Sequence, residues 1–90
     1  MTFVVPEKLK QALKGKRLTS GTIIKEDTTA YMITRGGDEF YVVNLTTGFQ
    51  FTQSCDSLNE VIEVYFAVAD YAADSHEYTV YDSLQSYLLG

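Results

Sequence analysis

The 90-residue chain has no tryptophan, one proline, one cysteine and one histidine, and it has no lysine or arginine after Arg35. Each shortage excludes something. A single cysteine, Cys55, cannot close an internal disulfide, which suits a reducing cytosol. One cysteine and one histidine do not supply the three converging ligands of a zinc site. No D-x-[DN]-x-[DN]-G loop is present for calcium, so neither metal nor other cofactor is expected. No apolar run approaches 18 residues, which excludes a membrane-spanning helix. The opening MTFVVPEKLK lacks a charged stretch ahead of a long apolar one and does not read as a signal peptide. What remains is 46% hydrophobic, 13% aromatic and 21% charged, enough for one compact core. A chain this short makes a single domain, 1–90, with a thin stability margin.

The missing cations matter most. All seven basic residues (Lys8, Lys10, Lys14, Lys16, Arg17, Lys25, Arg35) precede position 36, where they meet only Glu7, Glu26 and Asp27, a net of +4. Positions 36–90 hold nine acids and no base, a net of −9. Such a segment repels itself. Either the basic third folds against it and neutralises it, or the acids are held for a basic partner.

The apolar pattern predicts an α+β fold. Pro6 and Gly15 bracket a short first helix, over 6–14, with Leu9, Ala12 and Leu13 on one stripe. Thr22–Lys25, Tyr31–Thr34, Phe40–Leu45 and Phe49–Thr52 read as strands of an antiparallel meander of three to four strands. Gly36-Gly37 and Thr46-Thr47-Gly48 are its hairpin turns. Ser57-Leu58-Asn59-Glu60 has the form of a capping box and opens a long amphipathic helix, about 57–73, without glycine or proline. Leu58, Val61, Ile62, Tyr65, Ala69 and Ala72 would share its apolar side and cover one face of the sheet. In the tail, Tyr78-Thr79-Val80-Tyr81 reads as a strand; alternatively Thr79 or Asp82 caps a closing helix in which Val80, Leu84, Tyr87 and Leu88 share a face. The spacing of Leu84 to Leu89 favours the helix.

On that long helix Asp56, Glu60, Glu63, Asp70 and Asp74 would fall within an ~80° sector opposite the apolar stripe, over roughly 27 Å. No cation stands three or four positions from any of them, so each like-charged pair costs a few tenths of a kcal/mol. A straight row of carboxylates does not converge on one ion, and nucleic acid is repelled by it. A basic protein surface is the remaining partner. Its commonest cytosolic form is the channel of a nucleic-acid-binding protein, whose ligand carries one charge per roughly 1.7 Å. Tyr71, Glu77, Tyr78 and Asp82 extend the candidate binding surface, because tyrosine supplies rigid contact area at interfaces. The other aromatics, among them Tyr31, Phe49, Phe51 and Tyr65, read as core.

Catalytic patterns are absent. Cys55 and His76 are separated without an oxyanion signature, and Asp74-Ser75-His76 is contiguous whereas triads assemble from separated positions. Gly36-Gly37 has no phosphate-loop lysine after it, and Asn44-Leu45-Thr46 matches a glycosylation pattern that a cytosolic chain would not use.

In size, acidity and helix–meander–helix layout the chain resembles, over its whole length, the small acidic inhibitors encoded by bacteriophages and mobile elements, including some anti-CRISPR proteins that block Cas9-type nucleases. Its basic N-terminal third departs from a uniformly acidic DNA mimic. The resemblance implies a non-enzymatic inhibitor in the host cytoplasm that occupies a basic nucleic-acid-binding surface. Two other expectations stand beside it: a small-ligand or adaptor domain that binds through the sheet, and a homo-oligomer in which the basic third of one copy faces the acidic part of the next.

Overall fold

The computed structural model describes residues 3–51, 53–72 and 75–89. In chain order the elements are β1 (Phe3–Val4), α1 (Glu7–Leu13), β2 (Ile23–Glu26), β3 (Thr29–Gly36), β4 (Glu39–Asn44), α2 (Leu58–Tyr65), β5 (Val68–Ala69), a 3-10 turn (Asp70–Ala72), β6 (Tyr78–Tyr81) and α3 (Leu84–Leu89). The result is the α+β architecture that the apolar pattern predicts, with four antiparallel strands in the order β4-β3-β2-β6 and a separate β1-β5 ribbon.

Local chemistry explains each element. The carbonyl of Pro6, whose φ is −58°, accepts the first helical bond of α1 from Lys10. Gly15, at φ +78°, ends that segment in a conformation that costs glycine little. Between β2 and β3 the two-residue loop begins with Asp27 at φ +52°, a position that Asp tolerates better than most side chains. The β3–β4 connection is Gly37-Asp38, one residue later than expected, because Gly36 still pairs with Glu39. A Cβ on Gly36 would stand 2.9 Å from the Tyr41 ring, so this glycine makes room for the aromatic beside it.

Strand register divides the sheet into two faces. Ile24 pairs with Val80 and Ile33 with Val42, and all four are buried on the inner face. There they meet Leu9 of α1 and Val61, Ile62 and Phe66 of the α2 region. Ile23, Met32, Val43 and Tyr81 share the outer face through their own pairings. α3 reaches that face through Tyr87, packed edge-on against Tyr81.

Three expectations are corrected. The helix expected over 57–73 ends at Tyr65, with Phe66 as its cap, although neither glycine nor proline intervenes. Phe66 turns into the core against Tyr31, and Val68–Ala69 pair with Phe3–Val4 instead. Tertiary pairing outweighs helix propensity here, and ending the helix also disperses an acidic row that no cation relieves. The strand expected at Phe49–Thr52 is reduced to a bridge between Val43 and Gln50. Its pairing drifts: a step of two along β4, from Val42 back to Phe40, is matched by a step of four along the returning segment, from Phe51 to Cys55. Thr52 lies outside the described residues. The sheet's fourth strand is Tyr78–Tyr81, so Val80 lies on that strand and not on the closing helix, which is confined to Leu84–Leu89.

Candidate partner-binding surface

The acids do not form one stripe. Asp56 precedes α2 and is exposed; its backbone N–H donates to Glu60 Oε2 at 3.1 Å. The Ser57 hydroxyl accepts from the Glu60 N–H at 3.1 Å, so Glu60 is half of a working capping pair and is committed to the helix start. Glu63 is exposed on the flank of α2 that faces α1, where it borders a cleft with Lys10 and Lys16. Asp70 opens the 3-10 turn and is exposed; it stands beyond the helix, not on it. Asp74 lies outside the described residues. Glu77 is exposed and paired, its carboxylate 2.7 Å from Lys8 Nζ. Asp82, between β6 and α3, is exposed.

The two tyrosines separate. Tyr71 is 82% exposed. Tyr78 is 9% exposed and belongs to the core, which removes it from the candidate surface. Its hydroxyl is buried without a hydrogen-bond partner among the described residues. Burial, reinforced by the nearby Glu26 and Asp27 carboxylates, pushes its pKa up to about 12.

Sequence reasoning missed an aromatic patch on the other flank of α2. Phe51 stacks on Tyr31 at 6.1 Å and leans on Tyr65 at 5.3 Å, and the Tyr65 hydroxyl donates to the Gln53 carbonyl. Phe49, at 76% exposure, stands in solvent nearby in the chain. All four are expected in the core; Tyr31 and Tyr65 are half-buried against it, but Phe49 and Phe51 are exposed because the ragged segment after Gly48 lies along the edge of β4 and is not built into the sheet. The Phe-Gln-Phe spacing was the available signal, since it puts both rings on one side of an extended segment.

The two groups considered for catalysis, Cys55 and His76, both have structural partners. Cys55 is buried and exchanges backbone hydrogen bonds with Phe40, and burial holds its thiol pKa up, with Glu60 and Asp56 adding to the effect. His76 Nδ1 lies 2.7 Å from Asp27 Oδ2 and 3.8 Å from Glu26 Oε1. Among the described residues, no group of three or more His, Cys, Asp or Glu side chains is placed to hold a metal ion, and no helix is long and apolar enough to cross a membrane. The chain matches no protein-family model, no curated protein and no solved structure.

Proposed function

We propose that this chain is a non-enzymatic binding protein that uses its unpaired acids to occupy the basic, nucleic-acid-binding surface of another protein, as the phage-type inhibitors it resembles do. One observation carries the proposal: among the described residues, few ion pairs join the basic third to the acidic part. Among the described residues Lys8–Glu77 is the one Lys or Arg ion pair that joins them, while Asp38, Glu39, Asp56, Glu63, Asp70 and Asp82 have no ion pair. Six free carboxylates facing solvent make a surface with affinity for cationic partners and repulsion for nucleic acid. Exposed Tyr71 beside Asp70, with Phe49 and Phe51 at a second point, supplies the aromatic anchors that dominate protein interfaces. Burial of the Cys55 thiol and engagement of His76 by Asp27 support the non-enzymatic part of the reading, and a nucleic-acid-handling target places the chain in the cytoplasm of the cell it acts in.

The test is capture from nuclease-treated host lysate on the immobilised chain, followed by a salt gradient. Retained nucleic-acid-binding proteins should elute steeply as salt rises, because exposed charge contacts are screened. The D70K/Y71A variant should lose them. Retention that is indifferent to both salt and this variant would overturn the proposal.

A further inference from the structure

α3 leaves its apolar side uncovered. None of its residues is buried; Leu88 is 72% and Leu89 81% exposed. Among the described residues Tyr87, against Tyr81, is its one ring contact. Isolated helices need about 12–15 residues to be even marginal in water, so six residues depend on packing. Asp82 stands exposed at the start of α3, and no lysine or arginine lies anywhere in positions 36–90. The surface here is leucine flanked by acid.

A cleft of about 390 Å³ between α1 and α2 has the opposite character. Val5, Leu13, Leu18 and Ile62 give it apolar walls, and Lys10 and Lys16 stand at its rim. Neither lysine has an ion pair among the described residues, and Lys14 and Arg17 adjoin them in sequence. At 1.5 Å per residue the six-residue α3 is about 9 Å long. Glu63, on the α2 wall, repels an acid from that side and directs it towards the lysines of the α1 side.

We propose that the cleft receives α3 of a second copy of this chain, with Leu88 and Leu89 against the apolar walls and Asp82 facing Lys10 and Lys16. The contact is head-to-tail. It closes into a dimer when two copies exchange helices and extends into a chain when they do not. An interface built on so short a helix belongs to the small, weak class. It shares Asp82 and Glu63 with the carboxylates counted above, whereas the proposed function is tested at Asp70 and Tyr71, which this contact does not use, so either can fail alone.

Sedimentation velocity from about 10 µM to about 1 mM, a range suited to weak interfaces, decides it. The parent's weight-average sedimentation coefficient should rise with concentration, and rise less in high salt. L88S/L89S and K10E/K16E change exposed residues, and each should stay monomeric with an unchanged circular dichroism spectrum. Mixed together they should form a one-to-one complex, because the first retains the cleft and the second retains the helix. A synthetic peptide of residues 82–89 should dissociate the parent, which tests the contact even if a variant misfolds. A parent that stays monomeric, a mixture that does not associate, or a peptide without effect would each overturn the proposal. A monomeric parent that binds dodecanoate, with K10E/K16E losing it, would assign the cleft to an amphipathic anion instead.

Discussion

His76 and Asp27, 49 residues apart in sequence, are joined side chain to side chain at 2.7 Å. The contact clamps the β2–β3 turn to the entry of β6. Asp27 also accepts the Glu77 N–H on Oδ1 at 2.9 Å and donates its own N–H to the Glu77 carbonyl at 2.8 Å. Glu77 in turn holds Lys8 of α1. One histidine thus sits in a network that ties three elements together.

This network makes stability depend on pH. The hydrogen bond that His76 makes to the Asp27 carboxylate, with the Glu26 and Asp27 charges adding to it, raises the His76 pKa. The Glu77 backbone bond first, then the His76 bond, lower that of Asp27. The histidine contribution is therefore complete below its unfolded value, about 6.5, and is lost as pH rises through the higher folded value. The aspartate contribution is complete above about 3.9 and is lost as pH falls through the lower folded value. Between about pH 4 and 6.5 both are present. The difference in Tm between the parent and H76Q should be largest in that window and shrink above it. A difference that stays constant from pH 5 to about 9, well beyond the ordinary histidine range, would show that the contact contributes nothing through charge.

Tyr78→Phe should not destabilise the protein. The hydroxyl is buried beside Glu26 and Asp27 without a partner, and an unsatisfied buried polar group costs about 1–3 kcal/mol. Removing it leaves the ring in place against the core. Chemical denaturation of Y78F should give a midpoint equal to or above the parent's, and a clear loss would reveal a hydrogen bond that the structure does not contain.

Ile33→Ala and Ile62→Ala separate the centre of the core from its margin. Large-to-small changes of this kind cost about 2–5 kcal/mol, against roughly 5–15 kcal/mol of total stability. Ile33 is fully enclosed between β2 and β4, whereas Ile62 also borders the open cleft, where its surroundings can relax. I33A should fall near the upper end of that range and I62A near the lower. The reverse order in urea midpoints would show that α2 is not seated as described.

Much of the fold was legible because local chemistry and tertiary packing agree. Ser57 and Glu60 announce a helix start, Gly15 a helix end, and Gly36-Gly37 a hairpin; the first two stand in the structure, and the hairpin turns one residue later. The end of α2 was not legible. Nothing in Tyr65-Phe66-Ala67-Val68 breaks a helix locally; pairing with Phe3–Val4, more than sixty residues away, decides it. The candidate surface suffered most, because a helical wheel placed Asp70 and Asp74 on a helix that ends before them. The wheel nonetheless assigned Val61, Ile62, Leu58 and Tyr65 to the covered side, and those side chains are buried or half-buried. The partner of His76 was beyond sequence reasoning, since it requires knowing that β6 lies beside β2.

Reversing Glu63 and Asp70 separately should now give different results. On a continuous acidic helix both changes to lysine would relieve repulsion. In the structure Glu63 borders a cleft with Lys10 and Lys16, so E63K adds a third cation there. It should lower stability slightly, by up to about 1 kcal/mol as expected for exposed charges, and the loss should fade in high salt. Asp70 has no ion pair among the described residues and lies outside any α-helix, so D70K should leave the urea midpoint unchanged. Binding should sort the other way: D70K, beside Tyr71, should abolish retention of a basic partner, because like charges facing each other across an interface cost several kcal/mol. Lost binding with an unchanged midpoint in D70K marks a surface held for a partner. A stabilised E63K together with a D70K that still binds would instead place the interface on the aromatic patch of Phe49 and Phe51.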